Sequence, residues 1–317
     1  MQNLKNFLIS FGVGIVVFGV FAALVPGMFF GEDAETPPDD SVHTGVQEDT
    51  PGQTPDDETP EDVIDTDTNK SFAAIVGGYD DGGELDALVF IKADAENEKF
   101  VVSAIPTYLS VPVTGVDPTS EEKMTSYIRL RDFPEVFSGN SAKRMLLDTV
   151  HAITGTKIDY YAFFSKEDLL SIFEDTGGIY YTVPQNMFYQ GIGTEESPEI
   201  NVSSGGQVLT GAKALGLLRF LSYSNNEMTN ERMRASTHAE FVSEALKQLV
   251  KIDKTKLASG VLKVLSKCET NFGSADFAKH LDLICNFGKY SASNVVMSLD
   301  TLDPIDYSHT QKLFENY

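Results

Sequence analysis

The first pattern along the chain is an unbroken apolar run. From Leu8 to Phe30 the sequence LISFGVGIVVFGVFAALVPGMFF carries no charge. At about 1.5 Å of rise per helical residue it can cross roughly 30 Å of hydrocarbon, and it predicts a transmembrane helix over 8–30. A cleavable signal peptide is the rival reading, but its apolar region is usually shorter, about 7–15 residues. Lys5 before the run and Glu32 and Asp33 after it favour a cytoplasmic N-terminus (1–7), with everything else outside. Residues 31–70 hold Pro, Thr, Asp and Glu with almost no large apolar side chains, so nothing there offsets the entropy of ordering. They are expected to form a disordered acidic linker.

From Ser71 the pattern changes to short apolar runs bounded by Gly, Pro and Asp. FAAIVGG, LDALVFIKAD, KFVVSAIP and LSVPV are each of strand length and rich in Val, Ile and Phe. The turns between them, DDGG and ADAENE, are too short for helical crossovers, so the sheet is expected to start antiparallel or mixed. SAKRMLLDTVHAITG predicts a helix with Met145, Leu147, Val150 and Ile153 near one face and Gly155 at its stop. The strand KIDYYAFF follows, then the helix SKEDLLSIFEDTGG, with Ser165 as N-cap and Asp168 as an imperfect capping-box partner. After the strand GIYYTVP, a polar, glycine-rich excursion runs from Gln185 to Gln207. Helices are expected over roughly 210–221 and 230–250 and on to about Cys285, with a last strand in YSASNVVMSLD. The expected fold is a layered α/β (α+β) domain over 71–317, a mixed central sheet flanked by helices and preceded by one transmembrane helix.

Composition changes this picture in two places. The net charge of −23 comes largely from the linker, so it describes no binding surface of the folded part, and nucleic acid is an unsuitable partner. Cys268 and Cys285 would lie outside the membrane, where a pair is free to oxidise. A disulfide stapling two neighbouring elements and two buried free thiols both stay open, because the sequence does not give the Cα separation a bridge demands.

The common signatures of nucleotide-binding loops, zinc proteases, serine hydrolases and CxxC redox sites are absent, and the five histidines show no ligand spacing. Two features remain. Asp80, Asp81, Glu84 and Asp86 lie in a loop and strand start, where carboxylates can hold Mg²⁺ against a phosphate; ordinary turn acids are the plainer reading. Arg219, Arg232 and Arg234 fall at the ends of two consecutive helices, where they can converge on an anion unless they are solvated helix surface.

The order GGYD, LDALVFIKAD, SAIPTYLSV, TGTKIDYYAFFSKEDLLSIFEDTGGIYYTVP, LTGAKALGLLRF and CETNFGS resembles the LytR-CpsA-Psr (LCP) family over most of residues 71–300. Members of that family are single-span envelope proteins that transfer polyprenyl-pyrophosphate-linked glycopolymers, such as teichoic acids or capsule, to peptidoglycan. The set Leu209, Gly211, Ala214, Leu215, Arg219, with IDYY at 158–161 and the glycine pair Gly177–Gly178, carries the resemblance. It implies metal-binding roles for Asp80 and Asp86 with Mg²⁺ as cofactor, catalytic roles for Arg219, Arg232 and Arg234, and substrate-binding roles for Arg219, Arg234 and Arg129. The partners it implies are the polyprenyl-pyrophosphate glycopolymer lipid, peptidoglycan and, through the N-terminal helix, the membrane of a Gram-positive-type envelope.

The chain departs from the family where its chemistry is densest. The I-P-R-D segment reads Ile105, Pro106, Thr107, Tyr108, the second arginine of R-x-R is Leu221, and the R-x-x-R-Q-Q run has decayed to RASTHA. Loss of one charge-stabilising donor commonly costs about 10²–10³ in rate. Arg129, Arg131 and Lys123 follow in the next segment as candidate substitutes, and nothing in the sequence chooses among them. The expectation is an LCP-like envelope protein that binds the lipid-linked glycopolymer with impaired catalysis. The alternatives are an active Mg²⁺-dependent phosphotransferase with a rewired site, and a surface sensor or adhesion module.

Overall fold

The structure is a computed structural model that describes residues 70–116, 123–137, 139–175, 178–190, 199–221, 227–248, 261, 263–297, 305–315 and 317. The expected membrane span and, but for Lys70, the linker lie outside these residues. Among the described residues no helix is long and apolar enough to cross a membrane.

Strands β1 (Phe72–Tyr79), β2 (Leu85–Asp94) and β3 (Lys99–Ala104) fold back on one another as antiparallel neighbours, as their short turns require. β4 (Ser110–Val116) and β5 (Lys123–Arg129) make a separate antiparallel ribbon. After α1 (Phe133–Val136) and α2 (Asn140–Thr154), β6 (Tyr160–Phe164) returns parallel to β1. Next come α3 (Lys166–Asp175), β7 (Ile179–Val183), β8 (Met187–Tyr189), β9 (Ile200–Val202), β10 (Gly205–Leu209), α4 (Gly211–Arg219) and α5 (Glu227–Gln248). β11 (Glu269–Thr270), α6 (Ser274–Lys279), α7 (Leu281–Asn286), β12 (Ser291–Asn294) and α8 (Tyr307–Phe314) complete the described chain. The central sheet has the order β11-β6-β1-β2-β3-β12 and is mixed, with β1–β6 and β3–β12 parallel.

Both sheet faces are covered, which is why these strands read as nearly continuous apolar runs. On one face Ala74, Val76, Val89 and Ile91 pack with Phe173, Leu215 and Phe241 from α3, α4 and α5. On the other, Ile75 and Phe90 pack with Val150 and Ile153 of α2 and Phe314 of α8. The catalytic candidates therefore sit where helices meet one end of a rigid sheet.

Local signals explain the ends of several elements. Gly155 closes α2 in the left-handed conformation at φ +71°. Ser165 caps α3: its Oγ accepts the Asp168 N–H at 3.2 Å and donates to the Asp168 carboxylate at 2.6 Å. The buried face of α2 is carried by Leu146, Val150 and Ile153, with Met145 and Leu147 only part-buried, so the expected face is rotated by one position. The excursion at 185–207 contains β8, β9 and the start of β10, strands too short for an alternating pattern to announce them. Cys268 and Cys285 are free thiols, half-buried against the same core, and burial pushes Cys268 up to about 12.

Gly77 holds β1 and β6 close. A Cβ there would lie 2.5 Å from the Phe163 ring and 3.0 Å from Leu85, both core side chains. Gly77→Ala is expected to destabilise the fold by about 1–3 kcal/mol through overpacking, read from the urea midpoint at unchanged m-value.

Candidate functional site

The site begins with an irregularity in the sheet. Gly78 pairs with Ala87 while Tyr79 pairs with Leu85, so Asp86 is an extra residue bulged out of β2. A bulge leaves its residue outside the ladder and re-aims its side chain. The Asp86 carbonyl, freed in this way, accepts the Thr107 hydroxyl at 3.1 Å and Nη2 of Arg234 at 3.0 Å. The Asp86 side chain is 0% exposed, and neither carboxylate oxygen has a hydrogen-bond partner among the described residues. Burial pushes its carboxyl well above the usual carboxylate range. Arg234 and Arg219 oppose the shift, and Asp80 and Glu231 add to it.

Asp80 sits at the same end of the sheet, in the turn between β1 and β2. One of its oxygens accepts the N–H groups of Gly82 and Glu84, each at 2.9 Å. Burial raises its carboxyl, against the Gly82 hydrogen bond and the charges of Arg131 and Arg219. Asp80 and Asp86 thus share a field with Arg219.

Helices α4 and α5 bring the arginines. Arg219 ends α4 and is 4% exposed; burial pulls its guanidinium down, and Asp86, Asp81 and Asp80 oppose that. Arg234, 5% exposed, lies in α5 with its Nη2 3.5 Å from Glu231. Burial works against its charge, and Glu231 and Asp86 outweigh burial to hold it above its usual value. His238, one turn further along α5, is buried, and its Nε2–H donates to the Leu218 carbonyl at 2.8 Å, beside Arg219. Burial, then the charge of Arg234, lowers His238 to about 3, so the ring is neutral.

Two expected cations stand elsewhere. Arg232 is exposed on α5, about 200° around the helix from Arg234, so it does not join the cleft. Arg129 is exposed at the rim, paired with Asp132 at 3.2 Å, its guanidinium 5.9 Å from the Tyr108 ring. The cation that sequence reasoning left unchosen is Arg131, 5% exposed, in the 3-10 turn Leu130–Asp132 that follows β5. Its backbone N–H donates to the Thr107 carbonyl at 2.8 Å. Its guanidinium hydrogen-bonds Glu84 and Tyr108 and lies 4.7 Å from the Tyr108 ring centroid. Continuing the β4–β5 register, where Ser110 faces Arg129, would have placed residue 131 opposite 108.

The donor set fits a hard cation. Mg²⁺ is commonly held by one or two carboxylates and completes its shell with water and substrate phosphates. Asp86 offers two unengaged oxygens and Asp80 one oxygen not tied to the turn amides. Among the described residues no group of three or more His, Cys, Asp or Glu forms a ready metal cage. A metal here would be completed by the ligand.

The mixed-sheet α/β domain thus gathers a buried carboxylate and buried guanidinium groups at one end of its strands. The sequence profile of the LytR_cpsA_psr family matches residues 43–301, and the chain belongs to that family. Biofilm regulatory protein A of Streptococcus mutans is 23% identical over 269 residues, 81% of this chain and 59% of that protein, so the chain spans about three fifths of that relative's length. B. subtilis TagV superposes with a TM-score of 0.59 at 15% identity, over 78% of this chain and 96% of TagV. TagT bound to LIIa-WTA gives 0.52 at 14% identity, over 73% of this chain and 80% of TagT. At these identities the superpositions establish a shared fold.

Two measurements check the site. Asp86→Asn removes a buried carboxyl whose ionised form burial disfavours, and is expected to raise the Tm in metal-free buffer. It is also expected to abolish any Mg²⁺-induced rise in Tm seen in the parent chain. For His238 the folded pKa lies below the unfolded value of about 6.5, so its contribution is fully present above that value and is lost as pH falls toward about 3. His238→Gln, which keeps a donor for the Leu218 carbonyl, is expected to flatten the stability profile between those limits in urea titrations at stepped pH.

Proposed function

We propose that this chain is a membrane-anchored LCP protein of a Gram-positive-type envelope whose extracytoplasmic domain binds the diphosphate of a polyprenyl-linked glycopolymer during cell-wall assembly. The observation that carries this reading is the buried Asp86 carboxyl, without a hydrogen-bond partner among the described residues and within the field of Arg234 and Arg219. A buried carboxylate beside buried guanidinium groups suits a ligand that brings both a divalent cation and phosphate oxygens. In this reading Asp80 and Asp86 hold Mg²⁺ and Arg219 and Arg234 take phosphate oxygens. TagT, a structural relative, is described as bound to LIIa-WTA, which supports a lipid-linked glycopolymer as the ligand class. The span over 8–30 and the linker over 31–70 would tether the domain to the outer leaflet, where such carriers are presented.

The second reading is transfer rather than binding alone. It is favoured by the side-chain oxygens at Asp86, which are free to take a metal, and opposed by Thr107, Tyr108 and Leu221 at positions where the family carries Arg, Asp and Arg. In that reaction a peptidoglycan hydroxyl attacks the phosphorus that bears the glycopolymer. The new oxygen–phosphorus bond forms as the bond to the polyprenyl phosphate breaks, and polyprenyl monophosphate leaves with the electron pair. Mg²⁺ would neutralise charge on the phosphate oxygens; the chain's part is to orient the diphosphate through Arg219 and Arg234.

The full chain, purified in detergent, is expected to bind a polyprenyl pyrophosphate in a Mg²⁺-dependent manner. The Asp86→Ala, Arg219→Ala double variant is expected to lose that binding. With peptidoglycan present as acceptor, release of polyprenyl monophosphate by the parent chain that vanishes in the double variant selects transfer chemistry, and tight binding with no release selects the binding role. Absence of both sinks the proposal.

A further inference from the structure

We propose that Arg131 is a third phosphate-contacting guanidinium of the cleft, held in reserve by Glu84, whose carboxylate occupies the place that a ligand phosphate takes over. The inference rests on the diphosphate reading above and names a residue and a device that reading does not use.

The geometry supplies three links. First, the backbone bond from Arg131 N–H to the Thr107 carbonyl sets this arginine against the loop segment Ile105–Tyr108, which has lost its own cation. Its side chain is 5% exposed and aimed inward by the Tyr108 hydroxyl and ring, so its direction is fixed by packing. Second, hydrogen bonds join it to the other groups of the site: Thr107, which accepts its N–H, donates to the Asp86 carbonyl that also takes Arg234, and Glu84, its guanidinium partner, donates its own N–H to Asp80. Like charges crowded in a buried site are stabilised by an anion shared between them.

Third, of its two carboxylate partners, Glu84 and, 3.7 Å from its Nε, Asp132, the closer one is displaceable. The Glu84 side chain is 35% exposed and belongs to the β1–β2 turn, so it can swing into water. The carboxylate of Asp86 has no such route. A guanidinium fork engages a phosphate by two parallel hydrogen bonds as readily as it does a carboxylate, and an exposed carboxylate loses little on returning to solvent. Arg131 approaches from the Asp80 and Tyr108 side and Arg234 from the Asp86 carbonyl side. A ligand with two linked phosphates offers one phosphate to each of these two guanidinium groups.

The test compares farnesyl pyrophosphate with farnesyl monophosphate, binding to the full chain in detergent with Mg²⁺ present. Arg131→Ala is expected to weaken diphosphate binding by about ten- to a hundredfold with little change for the monophosphate. Arg131→Lys, which keeps the charge and loses the fork, falls between. Glu84→Gln is expected to tighten the diphosphate by about two- to fivefold, the opposite sign, because it removes the competing charge. Thermal melts accompany each variant; if Arg131→Ala does not fold, the Lys and Gln variants decide. Diphosphate binding by the parent chain that is unchanged in the Arg131 variants overturns the inference and leaves the diphosphate reading standing. Equal losses for both probes assign Arg131 a structural role and also overturn it, as does weaker binding in Glu84→Gln. A parent chain that binds neither probe brings down the diphosphate reading and this inference together.

Discussion

The buried carboxylate of Asp86 is the constraint around which this end of the molecule is arranged. A charge taken out of water without hydrogen bonds is unfavourable, and it persists only where surrounding structure fixes it. The fixing starts in the backbone. Because Asp86 is the extra residue of a bulge, its carbonyl is free to take the Thr107 hydroxyl and the Arg234 guanidinium. These two bonds join three parts of the chain, the edge of β2, the loop after β3 and the long helix α5. The side-chain oxygens have no hydrogen-bond partner among the described residues, while the carbonyl of the same residue takes two bonds.

Most of the fold is legible along the chain, because strands buried on both faces declare themselves as apolar runs and helices end at glycine. The bulge is not. The string Gly78–Tyr79 opposite Leu85–Asp86–Ala87 gives no local sign that one residue will be left over; that follows only from the pairing register. The two helix-borne arginines could have been separated by periodicity. Arg234 shares its face with His238, Phe241 and Ala245, at steps near 3.6, whereas Arg232 lies on the far side. At the ribbon, strand alternation points the other way. It groups Arg129 with Arg131 on one exposed face, and the 3-10 turn at Leu130–Asp132 then rotates Arg131 inward and leaves Arg129 at the rim. The position of Arg131 is therefore a product of tertiary geometry, and the family pattern, which looks for a cation at 107, reads as a loss.

The resemblance to LCP proteins and the departures from it have a common physical meaning. The family relation fixes the layered sheet and the ends of the strands at which charge is gathered. It does not fix which side chain delivers each charge, since several backbone segments pass the same cleft. Thr107 illustrates the exchange. Where an arginine would reach outward, a short hydroxyl side chain, 1% exposed, turns inward to bond the Asp86 carbonyl, and its own carbonyl receives the Arg131 N–H. The substitution thus removes a charge from one segment and supplies an anchor for the segment that carries another.

The same economy governs the helices. Leu221 leaves α4 with a single arginine at its end, so the placement of Arg219 depends on how that end is held. His238 supplies the hold by donating to the Leu218 carbonyl, one of the last acceptors of α4 that the helix itself cannot satisfy. It does so as the neutral ring, because burial, and then the charge of Arg234 one turn away on the same helix face, disfavours a second cation there. Arg234 is in turn kept charged by Glu231 and bound to Asp86. The stripe Glu231, Arg234, His238 is therefore linked: the acid supports the charge of the arginine, burial and then the arginine keep the histidine neutral, and the histidine donates to the helix end that carries Arg219.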